Sequence, residues 1–446
     1  MAYTKNMTEG NELSHILRFT LPLLAGNLFQ QLYNIVDSVI VGRYLGYDAL
    51  AAVGATGSVT YLFYTLCIGL ATGSGILISQ SFGAGHEKDM KKYIINSAYA
   101  SIAAGLIISI ISVAISGGLL KIMNTPDSIY ENAHHYMMIA CAGTIAVALY
   151  NWINAVMRSL GDSRTPLIFL IVASVLNVVL DLLFVVGFQT GVIGAALATV
   201  IAQALSAVSC IIYAYARGGY FRLTIDEMKF SSMHFFKCIK TGVPIALQNS
   251  MISVSMIFLQ RTANGFGDTV IAAYTATMRV EQLIQQPFSS LNAALSTFAG
   301  QNMGAGLTDR TVKGYHQSLK AMVIFALAML AIFLIFSRNI IGFFVTEESV
   351  IEIGAKALRL SAFFYIPLGL IHTTRGLLNG AGDVTYAMIN GFVEVIGRIG
   401  FALILVHIPA VGVWAVWGTT CLTWVLTAVM SVARYKGGKW RNKVKV

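Results

Sequence analysis

The stretch 28-LFQQLYNIVDSVIVGRYLG-46 is an apolar run interrupted by Gln30, Gln31, Asn34 and Asp37. Gln30, Asn34 and Asp37 follow at spacings of four and three, and Asn27, Gln31, Asn34 and Ser38 at four, three and four, so all lie within one stripe of a helix. A second run, 174-SVLNVVLDLLFVV-186, carries Asn177 and Asp181 four apart on one face, and Thr199 sits in a third, 191-GVIGAALAT-199. A buried carboxyl is driven toward its neutral form, and two that share a site titrate as a unit, which brings proton exchange into the physiological range. The same oxygens suit a dehydrated Na⁺, a hard cation. On either chemistry Asp37, Asn177, Asp181 and Thr199 form an ion-coupling site, with Gln30 and Asn34 as polar lining. Hydrogen bonds between neighbouring helices are the plainer alternative for Gln30, Gln31 and Asn34. Carboxylates inside a membrane are costly and mark function.

The elements that position these residues follow from composition. Of 446 residues, 56% are hydrophobic and 11% charged, with mean hydropathy +0.71. Soluble domains carry about 25% charged residues. A water-soluble globule is therefore excluded, and an all-α polytopic membrane protein is predicted. Continuous rather than alternating apolar runs exclude a β-barrel. At about 20 residues per span, twelve transmembrane helices are expected, near 14–41, 49–80, 92–117, 128–159, 166–188, 191–216, 235–263, 268–300, 315–337, 349–378, 386–408 and 411–435. With the N-terminus inside, about 22 of the 30 Lys and Arg residues fall on the cytoplasmic side. The net charge of +10 thus follows topology and not nucleic acid, and both termini are expected to be cytoplasmic. The first residues do not resemble a cleaved signal. Five scattered cysteines carry neither a disulfide framework nor zinc-site spacing.

The chain repeats itself. 80-QSFGAG-85 recurs as 301-QNMGAG-306, 158-RSLGD-162 as 379-NGAGD-383, and 191-GVIGAALAT-199 more weakly as 412-GVWAVWGTT-420, all in one register. The register holds six helices, an even number, so the halves are two six-helix bundles in the same orientation, related by a pseudo-twofold axis along the membrane normal. The expected division is an N-terminal lobe over 1–216, a basic cytoplasmic linker over 217–240 lying at the headgroups, and a C-terminal lobe with a basic tail over 241–446. The second half does not copy the first half's acids: the register carries Asn177 to Arg398 and Asp181 to Ala402. It offers instead Glu281, Glu394 and Arg398. Glu394 and Arg398, four apart, form either a structural salt bridge or a contact for substrate or a second ion. Arg375, at a helix end, is expected to snorkel. Pro22 and Pro244 open the first and seventh spans at matching places, and Pro22 is a candidate hinge.

Two motifs mislead. 380-GAGD-383 mimics an intramembrane aspartyl protease, but topology puts its partner acid, Asp48, on the other side of the membrane. No Walker, zinc-protease or nucleotide motif is present, so no enzyme and no cofactor is expected.

Taken together, 22-PLLAGNLFQQLYNIVDSVIVGRYLG-46, the QSFGAG and QNMGAG helix ends, the two GD loops and 177-NVVLD-181 resemble the multidrug and toxic compound extrusion (MATE) family over essentially the whole chain. The resemblance implies two six-helix bundles around a V-shaped cavity, and export of bulky, often cationic organic compounds by antiport with H⁺ or Na⁺. It implies coupling roles for Asp37, Asn177, Asp181 and Thr199, as in the prokaryotic branch with an N-lobe ion site. It adds Tyr136 to that site and makes Pro22 the hinge. The other branch has an acid in its seventh helix, and 244-PIALQNSMISVS-255 has none. The expected partners are small organic substrates and the lipid bilayer of the plasma membrane, the expected state is a monomer, and no nucleic acid is involved. The rivals are a flippase for lipid-linked oligosaccharide or peptidoglycan precursors, which needs a cationic cavity that the first lobe lacks, and, more remotely, a membrane-embedded enzyme.

Overall fold

Hydrocarbon offers peptide groups no hydrogen-bonding partner, so a chain of long apolar runs satisfies itself as helices. The computed structural model describes residues 5–444, apart from the side chain of Ile257. Among the described residues there is no strand. Fourteen α-helices follow in chain order: α1 (Glu12–Leu45), α2 (Tyr47–Gly83), α3 (Glu87–Ile122), α4 (Asp127–Ala142), α5 (Thr144–Ser159), α6 (Arg164–Asp181), α7 (Val192–Arg217), α8 (Ser232–Asn264), α9 (Asp268–Gly304), α10 (Thr308–Gly342), α11 (Glu348–Phe363), α12 (Tyr365–Gly380), α13 (Val384–Val406) and α14 (Ala415–Lys436). α4 and α5 meet at 45°, α11 and α12 at 50°, and each pair is one bent span. That makes twelve spans in two sets of six. Eight single helices are long and apolar enough to cross a membrane, ten with the bent pairs. α1 and α9 fall short of that measure, and they are the helices that carry the polar stripe and Glu281.

The repeat is written into the helix boundaries. α2 and α9, α4 and α11, and α5 and α12 each begin and end at the register of the repeated motifs. The bends at Gly143 and Phe364 share it. So do the GD loops, where Gly161 and Gly382 take φ of 83° and 88°, left-handed values that favour glycine. Asp162 then accepts from the Arg164 and Thr165 N–H groups at the start of α6, and Asp383 receives a bidentate pair from Arg434 at 2.7 and 3.0 Å. These aspartates hold turns together.

By their contacts the residues form two compact units. One takes in Lys5 and Asn6 with Leu21–Ala246; the other takes in Met7–Thr20 with Leu247 onward. This differs from the division at 216 and 241 that the repeat suggests, because the chain changes unit inside α1 and α8, beside Pro22 and Pro244. In the first unit the start of α8 lies on α2 with the backbones touching. A Cβ on Gly69 would stand 2.2 Å from the Ala246 Cα, and one on Gly73 2.4 Å from the Gly242 Cα. In the second unit the start of α1 is tied to α9 and α10. Gln301 accepts from the Met7 N–H at 2.9 Å, and Arg310 pairs with Glu12 at 3.2 Å.

The linker is shorter than expected, 218–231, since α7 reaches Arg217 and α8 begins at Ser232. Asn96 accepts from the Ser231 N–H at 2.8 Å, the Tyr99 hydroxyl donates to the Met228 carbonyl at 2.8 Å, and Glu227 pairs with Lys91 at 3.2 Å. The Glu227 carboxyl is held below its usual range, first by the Thr224 N–H and then by Lys91.

Candidate functional site

Four of the residues singled out in the first half meet in the first unit. Asp37 comes from α1, Asn177 and Asp181 from the end of α6, and Thr199 from α7. Asp181 is fully buried and Asn177 nearly so. The Asp37 and Asp181 carboxyl groups lie in hydrogen-bonding contact, and neither has an ion-pair partner among the described residues. The Oδ1 atoms of both are buried without a partner. Two carboxylates this close repel unless a proton or a cation lies between them.

Asn177 reports on that balance. With both ends of its amide satisfied, Nδ2 donates to Asp181 Oδ2 at 2.8 Å, and Oδ1 accepts from the Thr199 N–H at 3.1 Å and hydroxyl at 3.3 Å. The orientation is fixed by the hydrogen-bond network. Beside this cluster is a cavity of ≈ 30 Å³ whose lining includes Gln30, Tyr33, Tyr150, Asn177, Thr199 and Gln203. A water needs about 10–15 Å³ by the same measure, so the space suits a small ion or a water or two.

The remaining candidates divide. Tyr136 packs with Val41, Val185 and Val192 around the same end of α1, close enough to feel both aspartates. Gln30 lines the cavity, whereas Asn34 is exposed and its carbonyl accepts from Ser38 one turn on. Pro22 lies inside the continuous helix α1. Sequence reasoning passed over Tyr33, whose hydroxyl reaches Thr199. Its place four residues before Asp37, on the same face, was the available signal. It also passed over the turn after Asp181: α6 stops there, and Leu182–Gly187 winds as a π-helix, a distortion common at functional sites.

The second unit holds a different cluster. Arg398 is fully buried and pairs with Glu394 at 3.1 Å, while Arg375 pairs with the other oxygen of Glu394 at 3.3 Å and donates to Asn390 at 2.8 Å. Arg398 also donates to the Ser255 hydroxyl. Arg375 therefore does not snorkel; Glu394 and Asn390 supply acceptors inside the bundle, which a helix end facing lipid would lack. Glu281, 7% exposed, makes no ion pair among the described residues.

The model of one family, MatE, matches the chain twice in succession, over residues 22–183 and 244–404. The chain belongs to the MatE family. MatE proteins are transporters and not enzymes, and each match opens on one of the two paired prolines, Pro22 and Pro244. Among relatives, YpnP of Bacillus subtilis (strain 168), a probable multidrug resistance protein, is 28% identical over 392 residues, 86% of either chain. Two crystal structures of MATE, one in a bent and one in a straight conformation, superpose with TM-scores of 0.91 and 0.90 at 24% identity, each covering 98% of both chains.

Proposed function

We propose that this MatE protein exports bulky, mainly cationic organic compounds across the plasma membrane, with both termini in the cytoplasm, by antiport with H⁺ or Na⁺. The observation that carries the coupling is the contact between Asp37 and Asp181, two carboxyls with no cationic side chain beside them among the described residues. An ion from outside takes the place between them. It removes their mutual repulsion and their hold on water, beside the Asn177 amide that donates to Asp181 Oδ2. The acid pair sits about 12 Å inside the end of α1 at Leu45. Pro22, with no N–H to close the helix ladder, is where α1 bends as the pair changes charge. Crystal structures of MATE in bent and straight conformations are consistent with such a bend. Substrate is released outward, the access alternates, and the ion leaves to the cytoplasm. One inward elementary charge supplies about 2.3 kcal/mol per 100 mV, enough for a gradient of roughly fiftyfold in a neutral substrate.

The test is uptake of ethidium, an organic cation, into proteoliposomes under an imposed pH gradient and, separately, an imposed sodium gradient. The expected result is gradient-driven accumulation that Asp37→Asn and Asp181→Asn abolish. Unimpaired ion-driven transport in either variant rejects the coupling role, and transport of a pyrophosphate-linked lipid in place of ethidium favours the flippase reading.

A further inference from the structure

The two GD loops are held in different ways. In the second unit Asp383 is clasped by Arg434 from α14, whose guanidinium carbon also lies 5.2 Å from the centre of the Tyr386 ring. The repeat register carries Asp383 back to Asp162 and Arg434 back to Tyr213 on α7. Asp162 therefore has no guanidinium at the matching place. Its buried carboxylate accepts from the Arg164 and Thr165 N–H groups and from the Thr165 hydroxyl. Beside it is a cavity of ≈ 80 Å³ whose walls include Met157, Tyr213, Tyr220 and Phe221. A water needs about 10–15 Å³ by the same measure, so the space holds roughly five to eight waters, or one small ring in their place. The roof is the start of the linker. Gly218 and Gly219 take φ of 74° and 66° and turn the chain back after α7. Tyr220 then packs edge-on against Phe82 at the end of α2, with ring centroids 5.5 Å apart.

In the first unit the positive charge is displaced by one helical turn. Arg217, four residues after Tyr213, also lines the cavity, with its guanidinium carbon 4.9 Å from the centre of the Tyr213 ring. A molecule in the cavity is thus offered an acceptor, Asp162, beside a charge that already balances it. A cation there is attracted by Asp162 and repelled by Arg217, and an anion the reverse, so either is stripped of water for no net gain. A neutral donor loses nothing of the kind. Aromatic walls with a few polar groups at fixed points suit a small organic ligand. We propose that this cavity binds a small neutral aromatic molecule carrying one O–H or N–H group, with its ring against Tyr213, Tyr220 and Phe221 and its donor on Asp162. The site shares no residue with the Asp37–Asp181 cluster and does not rest on the transport function proposed above. Because its roof is the first turn of the linker, an occupant ties the linker to the corner between α5 and α6.

The test is fluorine NMR of the purified full-length protein titrated with 4-fluorophenol, which is uncharged near neutral pH. Saturable binding is expected, with 4-fluorobenzoate and protonated 4-fluorobenzylamine bound at least roughly tenfold more weakly. Ala214→Phe fills the cavity, and Tyr213→Arg supplies Asp162 with the clasp that Asp383 has. Each is expected to abolish binding, and should Ala214→Phe fail to fold, Tyr213→Arg decides. Amide exchange at Gly219, Tyr220 and Phe221 is expected to slow when 4-fluorophenol is bound. Binding that does not saturate, that survives either substitution in folded protein, or that the amine matches overturns the proposal. A protein that binds 4-fluorophenol in this way but shows no ion-driven ethidium transport loses the proposed function and keeps the site.

Discussion

Equivalent spans of the two repeats hold opposite charge arrangements. On α6 the face carries Asn177 and Asp181, turned toward an acid on α1; on α13 the same register carries Arg398 and Ala402, clasped to Glu394. The backbones correspond helix for helix, down to the two bends. The first cluster sets two carboxyl groups against each other with no ion pair among the described residues. The second is nearly self-neutralised by its own side chains. A shared scaffold thus leaves the side chains free to differ, and the proposed exchange of ions falls in the unit whose acids have no cationic side chain beside them among the described residues.

Substitutions in both units and in the linker break or sharpen that contrast. The largest effect is expected from Asp181→Asn or Asp37→Asn, a fall of at least roughly tenfold in ion-driven ethidium accumulation, equal to about 1.4 kcal/mol of coupling; binding of ethidium, followed by its fluorescence, is expected to survive. In the second unit the comparable change acts on stability. Arg398→Met strips one of two guanidinium partners from buried Glu394 and, with Arg375 still paired to it, is expected to cost less than the about 3–5 kcal/mol of an unpaired buried charge, read as a lower unfolding temperature, whereas adding Glu394→Gln, which leaves Arg375 without a carboxylate, is expected to lower it further. If Arg398→Met is harmless, the second cluster is not the self-neutralised one described. Pro22→Ala closes the ladder of α1 and is expected to slow turnover severalfold with stability unchanged or raised. The smallest effect is expected from Glu227→Gln in the linker: faster amide exchange at Thr224 and Ser231, and transport within about twofold of normal. Because the Glu227 carboxyl is held low, its tether is complete above the ordinary glutamate value of about 4.3 and is lost as pH falls through the lower folded value.

Much of this was legible in the sequence because membranes penalise what globules tolerate. Asp37 and Asp181 stand out in apolar runs, with Asn177 one turn from Asp181 and Thr199 in the next run. The register was legible through its turns, where Gly161 and Gly382 need left-handed backbone. Tyr33 was not, since a tyrosine on an apolar helix looks like ordinary packing. Nor was the partner of Arg375, because Asn390 and Glu394 reach it from another helix. The π-helical turn after Asp181 has no pattern of its own in Leu182–Gly187. The change of unit at Pro22 and Pro244 was hidden as well, because a proline marks a possible bend and says nothing about which neighbours the two arms choose.

The bare faces of Gly69 and Gly73 bear on how the chain can be cut. A fragment ending in the linker near 231 contains every span of the first repeat yet omits Ser232–Ala246, the segment those glycines receive. Such a fragment exposes a groove shaped for a backbone. Supplying 232–246 as a separate peptide is therefore the minimal complement for a split version of this transporter, and a single alanine at Gly69 should block that reassembly.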